Sequence, residues 1–195
     1  MTPLLSMLAG AKAFGLTAFR NLFEPQGAYD ALATITVPSG GTTSVSFSGI
    51  PQGYKHLQIR ASVRNTSGTY NDIRIGFNGD SGTSYSWHRI ISTGSGAPTA
   101  GGGASTTLST VGLYTGPSAG DSNAFAANII DIFDYNSSIK NKTIKSLVGS
   151  DGNNGGYIIF YSGAWYNLNP VNSINFTPLS GSFAQHSTFA LYGVK

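Results

Sequence analysis

The chain has 195 residues with 11 basic and 8 acidic side chains, three His and no Cys, and a formal net charge of +3. The absence of Cys excludes a disulfide scaffold and a thiolate metal centre, and charged residues at 10%, far below the ~25% usual for globular domains, are too few and too scattered for a nucleic-acid footprint built on a basic stripe. Hydrophobic residues at 40% and aromatics at 12% supply more buriable area than disordered chains carry, and the length suits one all-β domain with a polar, largely uncharged surface.

From Leu4 to Phe23 the apolar residues Leu4, Met7, Leu8, Ala11, Phe14, Ala18, Phe19 and Leu22 recur at helical spacing. Thr2 is a suitable N-cap, Pro3 suits the first helical position, and Glu24-Pro25 is a stop. A signal peptide would carry its positive charge ahead of the apolar run, whereas here Lys12 interrupts the run and Arg20 follows it. In a transmembrane span Lys12 would sit near mid-membrane. Three settings remain open. The favoured one is a docking or oligomerisation helix that presents Leu4, Leu8, Phe14, Phe19, Leu22 and Phe23 to a partner or to its own copies. The others are a membrane-surface or membrane-inserted segment, and a helix packed on the chain's own β domain. Residues 1–24 are therefore expected to be a helical anchor and 25–195 a β domain.

After Pro25 the pattern turns to β alternation, over Ala33–Val37, Ser44–Phe47, Leu57–Val63, Ile73–Phe77 and Ser84–Ile91. It resumes over Thr107–Tyr114, Asn123–Phe133, Thr143–Val148, Tyr157–Tyr161, Ser173–Phe176 and Thr188–Val194. Turn signals such as Pro38-Ser-Gly-Gly, Asn65-Thr-Ser-Gly, Asn78-Gly-Asp-Ser-Gly and Pro178-Leu-Ser-Gly separate these runs. No helical pattern intervenes to build βαβ units, so the expected fold is an antiparallel β-sandwich of jelly-roll type preceded by an amphipathic helix. Its core is expected to include Ile35, Phe47, Leu57, Ile59, Ile75, Ile130, Ile132, Leu147, Ile159, Phe176, Phe189 and Leu191. The stretch Ser92–Ser105, rich in Gly, Ser and Thr, reads as a low-complexity loop and the expected mobile tip.

The chemistry-bearing residues point away from catalysis. His56, His88 and His186 have no His or carboxylate at metal-ligand spacing, and no Gly-x-Ser-x-Gly elbow sits between a strand and a helix. Alternation puts Trp87 and Arg89 on one face and His88 on the other. Asp131 and Asp134, three apart, point to opposite faces and are expected to make local hydrogen bonds or to pair with the basic residues of Lys140–Lys145 rather than to flank a glycosidic bond. The cluster Lys140, Lys142 and Lys145 reads as a solvated loop beside a strand. Asp151-Gly-Asn-Asn-Gly-Gly holds one carboxylate and reads as a turn, not a calcium loop. No enzyme activity, cofactor or metal is expected. Aromatics at Trp87, Trp165 and Tyr166 would bind glycan if exposed together, and would be core if buried, as expected of Tyr157–Tyr161, a strand that reads as buried on both faces.

Several segments carry a family likeness. Ala33-Thr-Ile-Thr-Val, Ser44-Val-Ser-Phe-Ser-Gly-Ile-Pro-Gln-Gly-Tyr-Lys-His-Leu-Gln-Ile-Arg and Ile75-Gly-Phe-Asn-Gly-Asp are three of them. Ile129-Ile-Asp-Ile-Phe-Asp-Tyr with Asn141-Lys-Thr, and Ser187-Thr-Phe-Ala-Leu-Tyr-Gly-Val-Lys, complete the set. Over about residues 28–195 the chain resembles small β-sandwich structural proteins of tailed bacteriophages. That resemblance implies a non-enzymatic virion component: capsid decoration, head fibre, or an adhesion module on tail or baseplate. It also implies self-association, with a trimer preferred, and contacts with capsid, portal, neck or tail proteins; a carbohydrate-binding β-sandwich module that meets a host-surface glycan stands beside it as a separate alternative, and the scattered charge gives no nucleic-acid partner.

Overall fold

The computed structural model describes residues 27–68, 70–115, 123–152 and 155–195. The helix expected over Leu4–Phe23 lies outside these residues. Within them the chain is all β. The strands in order are β1 (Tyr29–Thr36), β2 (Val45–Ser48), β3 (His56–Val63), β4 (Tyr70–Phe77), β5 (Tyr85–Ser92) and β6 (Thr99–Thr106). They continue with β7 (Ser109–Thr115), β8 (Ala126–Phe133), β9 (Lys142–Asp151), β10 (Gly156–Trp165), β11 (Ser173–Pro178) and β12 (Thr188–Val194).

These strands form two antiparallel sheets, one of eight in the order β1-β12-β3-β8-β9-β10-β5-β6 and one of four in the order β2-β11-β4-β7. The sheets pack face to face as a sandwich, because alternation gives each strand one apolar face that must leave water. Phe47, Ile75, Phe77, Ile174 and Phe176 of the small sheet meet Leu57, Ile59, Ile130, Ile132, Phe189 and Leu191 of the large one in a single buried cluster. The turn signals act as read: Gly40 and Gly41 after Pro38, and Asn78 and Gly79 after β4, have positive φ. The Asn78 side chain then accepts the backbone N–H groups of Asn172 and Ser173 at 2.8 and 3.0 Å, joining the turn after β4 to the start of β11.

Three expectations from sequence are corrected. The expected loop Ser92–Ser105 is mostly strand: β6 pairs along β5, with Trp87 opposite Gly103 and His88 opposite Gly102. Its glycines are what permit the pairing. A Cβ on Gly102 would meet His88 Cδ2 at 2.8 Å, and one on Gly103 would meet Trp87 Nε1 at 2.8 Å, so a side-chain-poor strand lies beneath the large side chains of β5. Leu147 is not core. Ile144 and Val148, four apart on β9, take the inward positions, and the two-residue period turns Leu147 outward. Nor is β10 buried on both faces, for Ile158 and Phe160 lie on the outside while Ile159 and Tyr161 fill a smaller buried cluster with Val148. Ile35 is half-buried against the main core.

Candidate functional site

The positions where chemistry could gather are the interior polar groups, the clefts and the outer sheet faces. Inside the sandwich, Arg89 of β5 reaches across to β4, its Nη1 donating to Asp72 Oδ1 at 2.8 Å. Tyr161 of β10 donates its hydroxyl to the same oxygen at 3.2 Å. Burial, together with the Asp72 charge, pushes the Tyr161 phenol upward. Burial works to lower the Arg89 pKa, but the Asp72 carboxylate and Tyr161 outweigh it and leave the pKa raised. A guanidinium and a phenol locked in these protonation states bridge two sheets; they offer neither a base nor a nucleophile.

Lys142, the first residue of β9, is completely buried. Its Nζ donates to the carbonyls of Ser137, Lys140 and Asn167 at 2.6, 2.9 and 3.2 Å. Burial lowers its pKa, while three acceptors use all three of its N–H bonds. Two of the three lysines read as a solvated cluster remain exposed: Lys140 pairs with Asp134 at 2.8 Å and Lys145 with Asp131 at 3.3 Å, as the spacing of the two carboxylates suggested. Lys142 departs from that reading because the alternation of Lys142, Ile144, Ser146 and Val148 carries it inward and the turn before β9 wraps carbonyls around it.

The three aromatics considered for glycan binding do not come together as one platform. Trp165 is 1% exposed; its indole N–H donates to Asp80 Oδ2 at 2.7 Å, and its ring packs with Phe77 and Tyr85 in the core. That bond and the Gly82 N–H hold the Asp80 carboxyl below the usual carboxylate range. Burial pushes the neighbouring Tyr85 phenol up to about 12. Tyr166 is 58% exposed just past β10. Trp87 lies half-buried on the opposite face of β5 from His88, as alternation required, with Arg89 over its ring at 5.5 Å. Trp87 lines a cleft of about 380 Å³ between the sheets, with Asp72, Arg74, Thr106 and Thr110 around it. Among the described residues no group of three or more His, Cys, Asp or Glu is placed to hold a metal ion. No helix there is long and apolar enough to cross a membrane.

Sequence reading missed the outer face of the large sheet. One register row crosses it as Arg60 of β3, Ile129 of β8, Leu147 of β9, Phe160 of β10 and Ile90 of β5. With Ile158 beside Phe160, these apolar side chains are 43 to 68% exposed. Each lies at the parity opposite to a buried or half-buried neighbour, a signal present in the sequence once Ile130, Val148 and Ile159 are assigned inward. The row below it is polar, with Asp131, Lys145, Ser162 and His88 in register. No family model, no curated protein and no solved structure matches the chain.

Proposed function

We propose that this chain is a non-enzymatic structural protein of a tailed-phage particle, a decoration, fibre or tail/baseplate adhesion module that assembles as a closed homo-oligomer, preferentially a trimer. The observation that carries this reading is the connectivity. Taken without the hairpins β5–β6 and β9–β10, the two sheets run β1-β12-β3-β8 and β2-β11-β4-β7, which we read as a jelly roll, the architecture of many viral coat and lectin domains. The two hairpins then widen one sheet beyond the other. The use of the interior ionisable groups agrees with a structural role: Asp72, Arg89, Tyr161 and Lys142 all hold the fold together.

Mass spectrometry of purified particles, with antibody labelling seen by electron microscopy, tests the assignment. The chain is expected at a fixed copy number at one location, and its absence from purified particles would overturn the reading. Light scattering is expected to give three times the chain mass, whereas a monomer at micromolar concentration contradicts the assembly part. A second reading, a carbohydrate-binding module for host attachment, draws on Trp87 at the mouth of its hydroxyl-lined cleft. Under that reading Trp87→Ala abolishes glycan-array binding while leaving particle incorporation intact.

A further inference from the structure

An antiparallel sheet whose second face meets water normally alternates apolar-in with polar-out. The large sheet breaks that rule along a single row. Ile129, Leu147, Phe160 and Ile90 lie side by side on four adjacent strands, with Ile158 next to them. Contiguous exposed apolar surface of this kind marks a contact surface. The residues around the row are small on one side, with Ala127 opposite Gly149 and Gly149 opposite Ile158. The row therefore stands beside a shallow lane without charged side chains.

The row does not stop at β8. Register continues it to Arg60, whose guanidinium lies over the rings of Tyr192 and Tyr29 at 4.9 and 5.3 Å. Tyr29 is the first residue of β1, the edge strand of this same sheet. An aromatic and apolar track thus runs from the point where the N-terminal segment joins the sheet to Ile90 on the seventh strand across. From Tyr29 to Ile129 the path is four register positions along the strands and three strands across, roughly 14 Å by 14 Å. Residues 4–23 as a helix would be about 30 Å long, and the row itself, three strand spacings wide, is about 14 Å. The segment is long enough to lie along the whole track.

We infer that the outer face of the large sheet is the docking surface for this chain's own N-terminal segment, with the stripe of Leu4, Leu8, Phe14 and Phe19 seated along Ile129, Leu147, Phe160 and Ile90. Tethering favours the segment of the same chain over one from another copy, because a site within reach is met at high effective concentration. A subunit arranged so keeps both apolar surfaces covered until a particle offers the stripe a better partner. This inference goes beyond the proposed function and does not rest on it, since the row needs a cover whatever the particle is.

The absence of Cys from the chain makes introduced thiols a clean probe in the full-length protein. Leu147 and Leu168 are almost equally exposed on the described surface, 53 and 51%. With the segment docked, Leu147→Cys reacts with a maleimide at least tenfold more slowly than Leu168→Cys in the folded chain, with circular dichroism verifying the fold. Equal rates mean an open face and overturn the inference. The occupant is identified by pairing Leu147→Cys in turn with Leu4→Cys, Leu8→Cys, Phe14→Cys and Phe19→Cys and adding a short bismaleimide. A cross-link within one chain, at monomer mass, is the expected result for at least one pair. Cross-links between two chains would assign the row to a neighbouring copy, and protection of Leu147→Cys without any cross-link would assign it to another partner. Either outcome overturns the inference while leaving the particle assignment to its own test.

Discussion

Lys142 shows how a charge becomes a structural part. Its ammonium donates to three backbone carbonyls, of Ser137, Lys140 and Asn167, and so ties the loops on either side of the β9–β10 hairpin together. Replacing it with Met of similar length keeps the packing against Trp165 but removes three charge-assisted hydrogen bonds at once. Lys142→Met is therefore expected to lower stability by about 3 kcal/mol in urea unfolding, with Lys140→Met, at the exposed end of the same turn, changing it by less than about 0.5 kcal/mol. Asp80 gives a pH dependence. Its folded pKa lies below 3.8 because Trp165 and Gly82 donate to the carboxylate. A carboxyl with a lowered folded pKa binds fewer protons folded than unfolded, so its stabilisation is complete above about 3.8 and is lost as pH falls through the folded value. Trp165 fluorescence in a Trp87→Phe background is expected to report this acid transition. Asp80→Asn should flatten it, at a cost of about 1 kcal/mol at neutral pH for a partly solvated bond.

Strands carry their information in parity. Ile129 and Ile130 are chemically identical neighbours on β8, yet Ile130 is buried in the sandwich and Ile129 faces outward. Ile130→Ala is expected to cost about 2–5 kcal/mol through lost burial and a cavity, and Ile129→Ala less than Ile130→Ala, because no cavity opens between the two sheets, both read from chemical denaturation midpoints. That contrast also explains what the sequence made legible. Eleven of the strands were visible because alternating apolar residues and Gly, Pro or Asn turns bracket them, and most of the named core positions are buried for the same reason. β6 was hidden because Thr99–Thr106 contributes almost no apolar side chain; its place is set by the Trp87-His88-Arg89 side chains that need glycine opposite them. Leu147 misled because hydrophobicity was weighed above parity, and Lys142 because charge was. The pairing of Asp131 and Asp134 with lysines was readable, since it depends on local spacing and opposite charge. The apolar row was not, because its members lie on four separate strands, β8, β9, β10 and β5, whose order and register must first be known.

At the scale of the molecule, the small number of charges matters as much as the strand order. The ion pairs Arg89–Asp72, Lys140–Asp134, Lys145–Asp131 and Lys195–Asp30, most at the surface or its margin, contribute little each, so screening them changes little. The melting temperature is expected to shift by less than about 3 °C between low salt and 0.5 M NaCl, measured by calorimetry, unlike a fold held by surface ion networks. The strand order itself is interleaved: β12 lies between β1 and β3, and β11 between β2 and β4. Each sheet therefore has a vacant lane in its middle until residues 173–194 have been synthesised, at ~5–20 residues per second. On the ribosome, β1 and β2 emerge first and wait longest, with their neighbours the last to arrive. The apolar residues ahead of them emerge earlier still. Neither sheet can be completed before the last two strands emerge, so β1 and β2 spend the whole of synthesis without the neighbours that will cover them.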